Sequence, residues 1–184
     1  LMYRTIIQFF LVFLFMTNLC SQNIELKIVE IIQHIENSEI NEAEAKLNKL
    51  LSIDPSYAPG HVSFSKIWLS RANINKATEH ANLAVRIDED FRYWWEEINS
   101  FRTKIKAGTA NVHKNNYYSA IETFSSLSTE YPKYPEPLYL LGLAHYKQKS
   151  FKKAAKFFRQ SIDLYPNYIK AQKALGNVNK RIRK

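Results

Sequence analysis

The sequence predicts an all-α solenoid of paired helices, and three observations carry that prediction. Only 4 Gly and 6 Pro occur in 184 residues, too few for the many tight turns of an all-β chain. Apolar residues recur at helical spacing along most of the chain. The text also repeats itself: Ala120 and Ala154 lie 34 residues apart, as do Phe124 and Phe158, and Pro132 and Pro166. With 46% hydrophobic and 14% aromatic residues, the chain can bury a sizeable core.

Residues 1–22 do not share this pattern. Arg4 precedes an apolar block from Ile6 to Met16, followed by small and polar residues up to Gln22. That is the layout of a secretory signal peptide, and the block is shorter than the roughly 20 residues that span a bilayer. Counting from Met2, with Leu1 read as a non-Met start or a clipped gene model, cleavage is expected near Ser21–Gln22. Two alternatives stay open: lipidation at Cys20, although Asn18 and Leu19 are a poor lipobox, and an uncleaved anchor. Cys20 is the sole cysteine, so a mature chain cleaved after it has no disulfide, thiol nucleophile or thiolate metal site. The expected location is exported, periplasmic or envelope-associated.

The repeat frame divides the remainder, 23–184, in order. Residues 24–57 form the first unit, with Ala43, Leu47 and Pro55; Glu30 and Ile31 give it an atypical first helix, suited to an N-terminal cap. Residues 58–91 follow, with Phe64, Trp68, Ala77, Ala81 and Ala84, and with Glu89 where the other units carry proline. Residues 92–100 break the period. No Gly or Pro intervenes before Gly108, so this insertion lengthens the next helix by about two and a half turns. The aromatic cluster Phe91, Tyr93, Trp94 and Trp95 is read as packing on the second repeat, with a partner-binding patch as the alternative. Units 101–134 (Gly108, Ala120, Phe124, Pro132) and 135–168 (Leu141, Gly142, Ala144, Ala154, Phe158, Pro166) show the period most clearly. Residues 169–184 start a further unit with Ala171, Leu175, Gly176, Val178 and Ile182 and stop after one helix, a C-terminal cap.

Helix–turn–helix units of 34 residues with alanine, phenylalanine and proline at these places resemble the tetratricopeptide repeat (TPR) family. The small alanine lets two helices approach, the phenylalanine a turn later fills the gap between them, and the proline ends the second helix. The resemblance implies a right-handed α-solenoid that binds a peptide or a partner protein along its concave side. The family's concave positions fall on Val62, Lys66 and Leu69; on Arg102, Ile105, Thr109 and Val112; and on Glu136, Tyr139, Leu143 and Tyr146. Lys170 and Lys173 on the capping helix extend them. The groove is thus expected to be apolar and aromatic in its middle and cationic at its C-terminal end, fitting a peptide with an acidic end.

Charge supplies the alternative. The net charge is +9, and from Lys147 onward twelve basic residues face one acid, Asp163. Lys152, Lys153, Lys156 and Arg159 fall on the convex side, where they could meet anionic lipid or polysaccharide. A solvated helix face is the plainer reading of them, and export argues against nucleic acid as partner. No zinc-protease histidine pair, phosphate loop, nucleophile elbow or apolar carboxylate pair is present, so no catalytic, cofactor or metal residues are assigned. His34 and His145 stand where the family usually has tyrosine and are read as packing residues. Oligomeric state is left open.

Overall fold

A computed structural model describes residues 24–183. The signal-peptide reading and Cys20 fall outside them. The described residues form helices and no strand. In chain order these are α1 (24–36), α2 (Ile40–Ile53), α3 (Ala58–Ser70), α4 (Ile74–Ile87), a 3₁₀ turn (Glu89–Phe91), α5 (Arg92–His113), α6 (Tyr117–Glu130), α7 (Pro135–Lys147), α8 (Phe151–Leu164) and α9 (Ile169–Ile182). Odd-numbered helices open each unit and even-numbered ones close it. Each helix packs on the next along the chain, which makes the architecture an all-α solenoid of the TPR type.

The turn inside each unit is built the same way four times. Ser38, Ala72, Asn115 and Lys149 all take positive φ, 64°, 53°, 62° and 63°. Each follows the last turn of an opening helix. The next residue's amide reaches back five positions, as in Asn73 N–H to Trp68 O (2.8 Å) and Ser150 N–H to His145 O (2.9 Å). These left-handed caps satisfy carbonyls that the helix end would leave unpaired. Between units the chain redirects at prolines. Where Glu89 replaces proline the aspartate turn is kept: Asp88 accepts from the Asp90 amide at 3.0 Å, as Asp54 beside Pro55 accepts from the Ser56 amide at 3.0 Å.

The insertion does lengthen one helix: α5 has 22 residues, against 13 in α3 and in α7. Its aromatic start packs on the second repeat. Trp94 is buried in the central core, and the Trp95 indole N–H donates to the Asn82 side chain on α4, while Tyr93 faces solvent. The extra length shifts everything that follows by roughly 13 Å along the helix axis. One consequence is that α7 lies directly against α3, two units earlier. Another is that Lys133, on the α6–α7 turn, donates to the Glu36 carbonyl at the end of α1 (3.1 Å). The concave side of the first two repeats is therefore closed by the fourth.

Candidate functional site

The concave side stays open toward the C-terminus. Helix α7 offers Tyr139, Leu143 and Tyr146 at i, i+4 and i+7, one face of a helix. Opposite stand Lys170, Lys173, Ala174 and Asn177 of α9, with Phe158 of α8 as the floor. The cleft so lined has a volume of about 300 Å³. Its wall is set by aromatic packing. The Tyr139 ring lies 5.8 Å from Phe158 and meets Tyr168 edge-on at 5.2 Å; Tyr146 tilts against Phe151 at 5.6 Å. Burial, and then the Glu136 carboxylate, push the Tyr139 phenol above its ordinary value, so it remains a hydrogen-bond donor. Glu136 lies one turn before Tyr139 on the same helix. Burial raises its carboxyl, while the hydrogen bond from the Tyr168 hydroxyl and the nearby Lys170 ammonium oppose that rise. Lys170 and Lys173 are exposed along the rim. Beyond Tyr146 the surface continues past Asn177, Lys180, Arg181 and Arg183. Across Leu143 lies a second, smaller cleft of about 200 Å³ between α5 and α7, lined by Thr109, Val112, His113, Tyr117 and Leu140.

The expected groove residues thus fall into three groups. Tyr139, Leu143, Tyr146, Lys170 and Lys173 line one cleft, and Thr109 lines its neighbour. Arg102 and Ile105 are half-buried on α5, with Ile105 packed on the core. Val62 and Leu69 differ from expectation: they are core residues, 7% and 2% exposed, in the cluster that also holds Trp94 and Ile98 of α5 and Leu140 and Leu141 of α7. Lys66 is half-buried beside them. Its ammonium stands 5.2 Å from the centre of the Trp94 ring and favours the charged form of Glu97, whose carboxyl burial pushes up. Tyr134, also close to Glu97, is pushed up to about 12, chiefly by burial. Lys66 belongs to the closed seam.

Phe158, Ala174 and Asn177 complete the cleft beyond the groove positions that the sequence predicts. The repeat carries a signal for Asn177: Leu143 plus one repeat length is residue 177, and Tyr146 likewise maps to Lys180.

The convex cations Lys152, Lys153, Lys156 and Arg159 are exposed on α8, away from the cleft. Among the described residues no group of three or more His, Cys, Asp or Glu could hold a metal ion, and no helix is long and apolar enough to cross a membrane. His145 is buried, its ring 5.3 Å from Phe157 and nearly parallel to it, a packing role. His61 and His80 are joined by one hydrogen bond. His61 donates from Nε2 to the Pro55 carbonyl at 3.0 Å, so its Nδ1 accepts from His80 Nδ1 at 3.2 Å. The ring centroids stand 5.5 Å apart, an edge-to-edge arrangement with both nitrogens on the line between the rings. Nothing about that pair faces the cleft.

No curated protein sequence matches the chain. Among solved structures it is similar to residues 41 to the end of MamA from Desulfovibrio magneticus RS-1, 17% identical over 87% of this chain and 85% of that one, TM-score 0.43. It is also similar to YrrB, described as a TPR protein with an unusual peptide-binding site: 16% identity over 80% and 89% of the two chains, TM-score 0.40. A third is the TPR2AB domain of yeast Sti1 in its pHSP90 complex, with 12% identity over 86% and 71%, TM-score 0.43. Residues 135–168, which hold α7, α8 and the floor of the cleft, match the tetratricopeptide repeat family, and the described chain around them is a solenoid of the same paired-helix kind.

Proposed function

We propose that this chain is a non-catalytic interaction module, exported to the cell envelope, that holds a peptide or a segment of a partner protein between α7 and α9. The observation that carries the reading is the two-sided chemistry of one cleft. Tyr139, Leu143 and Tyr146 supply an apolar, aromatic wall, and Lys170 and Lys173 supply cations facing it across about 300 Å³. Such a cleft suits an apolar side chain next to a carboxylate, on a ligand that is extended or helical. Nothing in it resembles an activated nucleophile or a matched acid–base pair. Export rests on the apolar block Ile6–Met16 and the residues that follow it.

The test is affinity capture from solubilised envelope with the purified chain, run beside Tyr146→Ala, Lys173→Glu and the triple change Lys152→Glu/Lys153→Glu/Lys156→Glu. The partner should be recovered by the wild type and the triple variant, and weakened about tenfold or more by Tyr146→Ala, as for an aromatic anchor. Retention on anionic vesicles that only the triple variant loses would replace this reading with a surface-binding one.

A further inference from the structure

Three glycines recur at the repeat spacing on opening helices: Gly108 on α5, Gly142 on α7 and Gly176 on α9. Two of them are seats. A Cβ at Gly108 would stand 2.5 Å from the Phe124 ring, and one at Gly142 would stand 2.7 Å from the Phe158 ring. Each phenylalanine comes from the closing helix of the same unit. At Gly176 a Cβ would meet nothing within 4 Å. The face of α9 that carries Gly176 is therefore a helix seat with no occupant among the described residues. Ile169, Gln172, Lys180 and Arg183 lie on that face, and all are exposed.

The other end of the solenoid has a face of matching character. On α1, Ile28 and Ile31 are buried toward the core. On the far side, no described element covers Leu26 and Val29, 73% and 53% exposed, with Glu25, Gln33 and Glu36 along the same stripe. Charge is opposite at the two ends. Residues 24–57 hold seven acids against three bases, whereas residues 169–184 hold six bases and no acid.

From these faces we infer that the chain associates head to tail with a second copy of itself, α1 of one copy occupying the seat over Gly176 of the next. Leu26 and Val29 meet Ile169 and the open surface at Gly176, and Glu25 and Glu36 meet Lys180 and Arg183. Such a contact is heterologous and does not close on itself at two copies, so growth continues beyond a dimer into an open filament or a closed ring. Opposite charges at the joint make it weaken with salt.

Sedimentation velocity on the chain as isolated from cells tests this across a concentration series. The wild type should grow in mass with concentration past the dimer and shrink with added salt. Gly176→Arg blocks the seat and Val29→Arg blocks the occupant. Both positions are exposed and outside the α7–α9 cleft, so circular dichroism should show native helix content. Each variant alone should be monomeric. Their equimolar mixture should form a dimer and nothing larger, because the first retains its α1 and the second its seat. A wild type that stays monomeric throughout overturns the inference. So does a dimer that survives Val29→Arg but not Gly176→Arg, which would indicate a symmetric α9–α9 contact.

Discussion

Gly142 lies beneath Phe158 so closely that its missing Cβ would sit 2.7 Å from two ring atoms and 3.3 Å from the Ala154 carbonyl oxygen. That approach lets α8 settle onto α7 and sets the floor of the cleft. Gly142→Ala should therefore destabilise the chain, by roughly 1–3 kcal/mol of overpacking, despite alanine's better helix propensity. Gly176→Ala has open space and only the propensity gain, so it should be neutral or stabilising by up to about 1 kcal/mol. Urea denaturation of the two variants at low protein concentration makes the comparison. Equal effects would mean that the close approach at Gly142 is not what holds α7 and α8 together.

The four left-handed caps carry side chains that strain them. Ala72 is the plainest case, with φ 53° and no polar side chain to bond locally. Ala72→Gly should stabilise by about 1 kcal/mol or slightly less, since glycine adopts this conformation freely but also gains freedom in the unfolded chain. Thermal unfolding should show a rise in Tm. A fall would mean that the Ala72 methyl packs better than its half-buried position indicates.

Two histidines make stability depend on pH in one direction. Burial, and then the neighbouring His61, hold His80 below the ordinary histidine value of 6.5; burial and Lys153 do the same for His145. The folded chain then keeps them neutral where the unfolded chain already binds protons. Stability should fall as pH drops below about 6.5 and level off once the folded histidines are themselves protonated. Glu136 and Glu97, raised by burial, act oppositely, losing stability as pH rises from 4.5 through their folded values. Urea midpoints between about pH 7 and pH 5.5 should decline in the wild type and decline less in His80→Gln/His145→Gln. An unchanged slope would remove these histidines from the account.

Much of this architecture is written locally. The alanine, phenylalanine and proline spacing between 101 and 168 defines two helix pairs, because each of those residues acts within its own unit. The lengthened α5 is equally legible, since 92–107 contains no residue that would stop a helix. What the period does not carry is contact between units that are not neighbours. Val62 and Leu69 hold groove positions in their own repeat, yet both are buried in a core shared with Trp94 and Ile98 of the added segment and with Leu140 and Leu141 of α7. The hydrogen bond between His61 and His80 is hidden for a similar reason: neither histidine belongs to the repeat pattern. The cleft residues Tyr139, Tyr146, Lys170 and Lys173 come together because they belong to consecutive opening helices, where the period applies.

The most direct test of the interaction-module reading is photo-crosslinking in intact cells, with a photoreactive phenylalanine replacing Tyr146 in the cleft or Lys156 on the convex side. Tyr146 is half-buried at the cleft edge and Lys156 is exposed on α8. The account predicts a discrete adduct with a polypeptide from position 146 and none from position 156. An adduct formed only from position 156, or none from either, would contradict it.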